Sequence, residues 1–294
     1  MLPNTLPSKE LFCPPPLSAP LHAILSRSST NRLPFEIKLH VFKGETPTGC
    51  FVDTNDGYVV SSPEFCFLQL ASLLPLTRII QLGYELCGKY SIPIRRDSNM
   101  LKKGYYDREP LTSVKALQAF LERMSGAKGH QMALRALRYI LDGSASPMET
   151  KLAMLLTLPY KMGGYSLNSP ELNYRIVPTK AARQSGSKSY YCCDLFWPDY
   201  NLAAEYDSDF YHDNSKSITK DAKKRNVLSV MRINVITVTR EQVYDRGDLE
   251  NVAKALARHL GKRLLHFRNP GFAAAHRDLH KLLLPRKTKE FFVD

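Results

Sequence analysis

Two consecutive hydrophobic runs, Tyr190 to Trp197 and Leu202 to Tyr206, each enclose a carboxylate: Asp194 in the first and Glu205 in the second. The interval at Pro198-Asp199 reads as a turn, so the two runs are expected to pair as adjacent strands. An acid inside a strand is costly to bury unless it is paired, hydrogen-bonded or bound to a cation. The two acids are eleven positions apart, enough for a strand, a turn and the return strand, which brings both side chains to one cluster. A fold that accepts this segment must supply a metal ion or neighbouring Lys and Arg side chains there.

The flanking pattern is that of an α/β unit. Ser146-Pro147-Met148-Glu149 combines an N-cap, a first-turn proline and an early carboxylate, and predicts a helix continuing to Leu158. One strand is expected within Leu172 to Thr179, a very basic helix over Ile218 to Met231, a buried strand over Asn234 to Thr239 and a last helix over about Leu249 to Arg263. The order α-β-β-β-α-β-α indicates an α/β domain.

Upstream the chain reads as α+β. Glu36 to Val41 alternates as a half-buried strand, and Cys50 to Val52 and Tyr58 to Val60 flank a turn at Asn55-Asp56-Gly57. Ser62-Pro63-Glu64 starts a helix over Phe65 to Leu74, and a second runs from Thr77 to Leu86. Gly104 to Asp107 is expected to be a loop, followed by helices over Thr112 to Met124 and Lys128 to Leu141. Asp142-Gly143-Ser144 marks a boundary, giving an irregular Pro- and Ser-rich arm over 1–34, an α+β domain over 35–143 and the α/β domain over 144–294.

The chain carries 41 Lys and Arg against 28 Asp and Glu, a net charge of +13, which points to a polyanionic partner. From Tyr211 to Asp294 the balance is 18 basic to 9 acidic, so the excess follows the two acidic strands. With 44% hydrophobic residues the chain can bury a core, which excludes wholesale disorder. No apolar stretch approaches the roughly 18–20 residues that span a bilayer, and no signal-peptide pattern opens the chain, so a cytoplasmic protein without a membrane partner is expected. The six cysteines form no CxxC pair, which fits reduced thiols and neither a zinc ribbon nor a disulfide scaffold.

Glu205 and Asp207 share a strand face by the period of two, so with Asp194 up to three carboxylates meet. Hard oxygen ligands of this kind suit Mg²⁺ or Mn²⁺ rather than zinc. His212 follows five residues after Asp207 and can move a proton near neutral pH. Lys216, Lys220, Lys223, Lys224 and Arg225 are placed to hold a phosphate backbone, with residues 220, 223 and 224 on one helical face and Arg225 turned towards the carboxylates. The competing reading is that the acids are simply salt-bridged. Glu149, three residues after Ser146, also satisfies a capping box. Cys192 and Cys193 read as strand packing, and Tyr190, Tyr191, Phe196 and Trp197 as core and rim. His259, His266, His276 and His280 read as surface residues without acidic partners.

Ser146-Pro-x-Glu149, Tyr191-Cys-Cys-Asp194-Leu-Phe-Trp-Pro, Glu205-Tyr-Asp207-Ser-x-x-x-His212, then Asp221, Arg225 and Leu228, and finally Asn234 to Arg240, occur in order. Over 146 to about 260 this series resembles the PD-(D/E)XK superfamily, in its very-short-patch-repair-like (Vsr-like) endonuclease branch. The resemblance implies a restriction-endonuclease-like α-β-β-β-α-β core in which Asp194 and Glu205 ligate metal and Glu149 completes the site. Asp207 and His212 would then orient water or act as acid and base. The chain departs from the superfamily pattern where Asp207 replaces the lysine of E-x-K, where Ser208 replaces the branch's glycine, and where Cys193 stands before Asp194. Val59-Val60-Ser-Ser-Pro-Glu64, Leu70-Ala71 and Glu85-Leu-Cys-Gly88 resemble the amino-terminal part of abortive-infection (AbiEi-like) proteins. That likeness implies a sensing or interaction domain with a protein partner, in phage defence or a toxin–antitoxin setting. The expected function is metal-dependent hydrolysis of DNA, and the alternatives are a catalytically silent, antitoxin-like DNA-binding regulator and an enzyme acting on RNA.

Overall fold

In the computed structural model of the chain, residues 21–25, 37–43, 45–54, 59–92, 104–183, 188–207 and 215–285 are described. The apolar piece expected to lie in an irregular arm forms a strand, β1 (Leu21–Leu25), parallel to β2 (Ile37–Val41). β3 (Phe51–Asp53) and β4 (Val59–Ser61) pair antiparallel as expected, and the turn expected at Asn55-Asp56-Gly57 lies outside the described residues. α1 (Pro63–Ala71) starts at Ser62, whose hydroxyl accepts the Phe65 N–H at 3.3 Å, and α2 (Leu76–Leu86) follows. Tyr106 and Asp107, expected in a loop, form β6 and pair with β5 (Tyr90–Ser91). Two-residue strands carry too little alternation to be read in advance. α3 (Val114–Arg123) and α4 (His130–Leu137) complete this half.

After residue 143 come α5 (Pro147–Thr157), β7 (Glu171–Ile176), the short α6 (Lys180–Arg183), β8 (Tyr191–Trp197), β9 (Leu202–Asp207), α7 (Ser215–Val230) and β10 (Asn234–Thr239). α8 (Arg240–Tyr244), α9 (Arg246–His259) and α10 (Phe272–Leu283) follow. Four strands form one mixed sheet in the order β10-β9-β8-β7. β7, β8 and β9 are antiparallel neighbours, whereas β10 runs parallel to β9 and needs a crossover, which α7 supplies. The molecule is mixed α/β.

The sheet is covered on both faces. Leu195, Trp197, Leu202 and Ala204 pack in a core with Leu152, Leu155 and Leu156 of α5. Cys193, Phe196 and Ala203 pack with Leu228 of α7 and Ile233. The first core also contains Phe65, Phe67, Ile79 and Tyr84, so apolar contact is continuous across position 143. Among the described residues no helix is long and apolar enough to cross a membrane.

Candidate active site

Strict alternation would put Cys193 and Leu195 on one face of β8. They belong instead to opposite cores, and Leu172 and Ile176 of β7 divide in the same way. The switch falls where the ladder passes from Leu172↔Leu195 to Tyr174↔Cys193, skipping Asn173 and Asp194. Asn173 stands there with φ +49°, the left-handed region that asparagine tolerates better than most residues. The backbone thus breaks its own pleat beside Asp194.

Three acids meet around this break. In the β8–β9 register Leu195 lies against Ala204, which sets Asp194 beside Glu205. Asp194 Oδ2 accepts the Tyr206 N–H at 2.8 Å, tying the first acid to the strand that carries the second. Glu149 comes from the first turn of α5. Its Oε2 accepts the Ala145 N–H at 2.9 Å and the Asn173 side-chain amide at 2.5 Å. Asn173 is held in turn by donating to Gly143 O at 3.1 Å. The expected capping box is therefore only half formed: the Ser146 hydroxyl accepts the Glu149 N–H at 3.2 Å, but the Glu149 carboxylate serves the residue before the cap.

The electrostatics are those of acids crowded together. Burial pushes the Glu149 carboxyl up to about 7, and the charge of Asp194 adds to the effect. Burial likewise raises Asp194, against the pull of the Tyr206 N–H and Lys224. Glu205 is pushed up to about 7, first by burial and then by Asp194. Lys224 Nζ donates to Glu205 Oε2 at 2.5 Å. Burial alone would lower the Lys224 ammonium, but Glu205 and Asp194 outweigh it and the net shift is upward. Glu205 Oε1 is buried with no N–H or O–H donor among the described residues; its neighbour is the Cys193 thiol, a weak donor raised far above its ordinary range by burial and by Glu205.

This geometry redistributes the residues expected at the site. Glu149, Asp194 and Glu205 are brought together, and Asp207 ends β9, partly buried. His212 lies outside the described residues, and of Lys216 and Lys220 only the backbone within α7 is described. Lys223 remains exposed, whereas Lys224, expected on phosphate, turns to Glu205, the bracing position expected of Arg225. α7 packs through Val227 and Leu228, and of the two lysines one turn before them only Lys224 reaches a carboxylate, that of Glu205. Asn173 was not anticipated, although an asparagine in the middle of a strand is itself a signal.

Cys193 is buried as strand packing, while Cys192 is partly exposed. The expectation of surface histidines holds for His259 and fails for others. His276 is buried, its Nδ1 donating to Gly163 O at 2.7 Å. His266 lies 3.4 Å from Glu250, and both histidines line a cavity of about 400 Å³ with Tyr165 and Phe272.

Among the described residues no set of three or more His, Cys, Asp or Glu side chains is placed so that it could hold a metal ion. The donor chemistry nevertheless fits a hard divalent cation: carboxylates that resist ionisation together, one of them with a buried oxygen lacking a conventional donor. No family model, curated protein or solved structure matches this chain.

Proposed function

We propose that the protein is a metal-dependent nuclease of the PD-(D/E)XK type that hydrolyses phosphodiester bonds in DNA. The observation that carries this reading is the convergence of Glu149, Asp194 and Glu205, from one helix and two strands, at a break in the sheet with Lys224 bound to one of them. Asp194 and Glu205, completed by Glu149, would hold Mg²⁺ or Mn²⁺, which supplies charge to polarise the phosphodiester and acidify a water. Lys224 takes the place of the lysine missing from position 207, offering an ammonium beside the reacting phosphate. Glu149, with its pKa near neutrality, can hold or pass a proton. Asn173 positions Glu149, and exposed Lys223 contacts the backbone. The 35–143 segment would act as the sensing or interaction part.

The test is incubation of the full chain with plasmid, linear duplex, single-stranded DNA and RNA in Mg²⁺, Mn²⁺ or EDTA. Cleavage with either ion and none in EDTA is expected. A folded protein that cuts none of them overturns the reading. A second reading, a catalytically silent DNA-binding regulator, is favoured by the Lys224–Glu205 pair, which already occupies one carboxylate. It would bind DNA without cutting it.

A further inference from the structure

We propose that the outer edge of the four-stranded sheet binds unpaired bases, so that the chain engages single-stranded nucleic acid beside the carboxylate cluster. β7 is an edge strand of that sheet. Tyr174 on it is 36% exposed and stacks on Phe196 with ring centroids 4.9 Å apart. Tyr190, which leads into β8, is 40% exposed, and the Arg175 guanidinium lies 3.8 Å from its ring centroid. Each tyrosine is thus held by a partner while part of its ring surface remains exposed. A ring already fixed loses little freedom when a base stacks on it.

The charge around these rings has the sign a nucleic acid needs. Between 171 and 191 there are four Lys and Arg and one acid, Glu171 at the start of β7. Arg175, Lys180, Arg183 and Lys188 are all exposed. α6, which carries Lys180 and Arg183, packs through Ala182 against Val227 of α7, the helix of Lys223 and Lys224. Tyr174 follows directly on Asn173, the residue that holds Glu149. A base stacked on Tyr174 therefore lies one residue along β7 from the bond that holds Glu149.

Duplex DNA offers phosphates to these cations but keeps its base faces stacked inside, so the exposed tyrosine rings find no base face to stack on. Addition of a protein strand to the same edge is opposed by the left-handed Asn173, which breaks the ladder such a strand would extend. The proposal rests on the nuclease reading only for the position of the cut, because the binding itself requires no metal.

The experiment is fluorescence anisotropy in EDTA, using the full chain with a labelled oligothymidine, the matching RNA and a duplex of the same length. Single strands are expected to bind more tightly than duplex. Tyr174→Ala and Tyr190→Ala should each weaken single-strand binding about 5- to 150-fold while leaving duplex affinity unchanged. Tyr174→Phe and Tyr190→Phe should keep it, and Lys223→Ala should weaken both forms alike. Melting curves report whether each variant is folded, and Tyr190→Ala, at the more exposed site, serves if Tyr174→Ala is not. Unchanged single-strand affinity in the folded alanine variants overturns the proposal, as does equal loss on both forms. Self-association that Tyr174→Ala abolishes would assign the edge to a second copy instead. A chain that binds as expected yet cuts nothing in Mg²⁺ or Mn²⁺ overturns the nuclease reading alone.

Discussion

Two helix starts in this protein are written almost alike and end in different chemistry. Ser62-Pro63-Glu64 opens α1 and Ser146-Pro147-Met148-Glu149 opens α5; in both, the serine hydroxyl accepts the N–H three residues on, at 3.3 and 3.2 Å. Glu64 turns to the Thr112 hydroxyl, which donates to it, in a partly exposed setting. Glu149 is buried and faces the left-handed Asn173 and the charge of Asp194. A capped helix start creates a local place for an acid; the element packed opposite decides whether that acid is merely structural. The sharpest break is by activity. Asp194→Ala or Glu205→Ala should lower cleavage on the order of 10³-fold or more, whereas Glu64→Gln should leave the rate unchanged. Full activity in both site variants, measured on plasmid in Mg²⁺, would show that the chemistry lies elsewhere.

The next contrast is in pH. The folded carboxyls of Glu149 and Glu205 titrate near 7, well above their ordinary value of 4.5. Between those values the folded chain holds more protons than the unfolded chain, so stability from these groups is full below about pH 4.5 and is lost as pH rises through about 7. Glu149→Gln, whose amide oxygen still accepts from Ala145 and Asn173, removes one of the clustered charges. Its stability relative to wild type, followed by melting temperature, should therefore climb between pH 5 and 8, by an amount on the order of 1 kcal/mol or more. Mg²⁺ should raise the wild-type melting temperature at pH 8 and not at pH 5. A difference independent of pH would remove the case for buried, mutually repelling acids.

What was legible in the sequence followed local rules. Both helix starts, the pairing of β3 with β4 and the paired runs of β8 and β9 could be read because capping and apolar runs act within a few residues. The less legible parts depend on a partner. Leu21–Leu25 becomes a strand only because β2 lies alongside it. α10 went unread although Phe272, His276, Leu279 and Leu283 are its buried stripe, since three alanines and two histidines blur the pattern. Lys224 looked equivalent to Lys223 until α7 was laid on the sheet, and that packing alone separates a pairing lysine from an exposed one.

Asn173 differs from Thr112, its counterpart opposite Glu64, in holding a buried acid from a left-handed backbone. Asn173→Ala removes a bond to a buried carboxylate and forces alanine to a positive φ, and should cost about 1–3 kcal/mol of stability. Asn173→Gly keeps the backbone free and isolates the lost bond. Thr112→Val, which strips Glu64 of its donor at a partly exposed position, should cost less than about 1 kcal/mol. Denaturant unfolding of the three variants gives the ranking, and an equal cost for Asn173→Ala and Thr112→Val would remove the distinction between the two helix starts.

The smallest effect is the most discriminating, because it compares the same atom in both places. Ser62→Ala and Ser146→Ala each leave one first-turn N–H without its cap, so each should lower stability by about 1 kcal/mol. Their pH behaviour should differ. The Ser146 hydroxyl also lowers the Glu149 carboxyl by hydrogen bonding, partly countering burial and Asp194. Removing it withdraws support from the charged form, so the pH at which Glu149 loses its proton should move up in Ser146→Ala. Ser62 has no such acid above it, and Ser62→Ala should keep the wild-type profile. Melting temperature measured from pH 5 to 8 reads both quantities in one series: a common offset reports the cap, and a displaced midpoint in Ser146→Ala alone reports the carboxylate it serves. Parallel profiles for the two variants would reduce Ser146-Pro147-Met148-Glu149 to what Ser62-Pro63-Glu64 already is, a well-capped start of a helix.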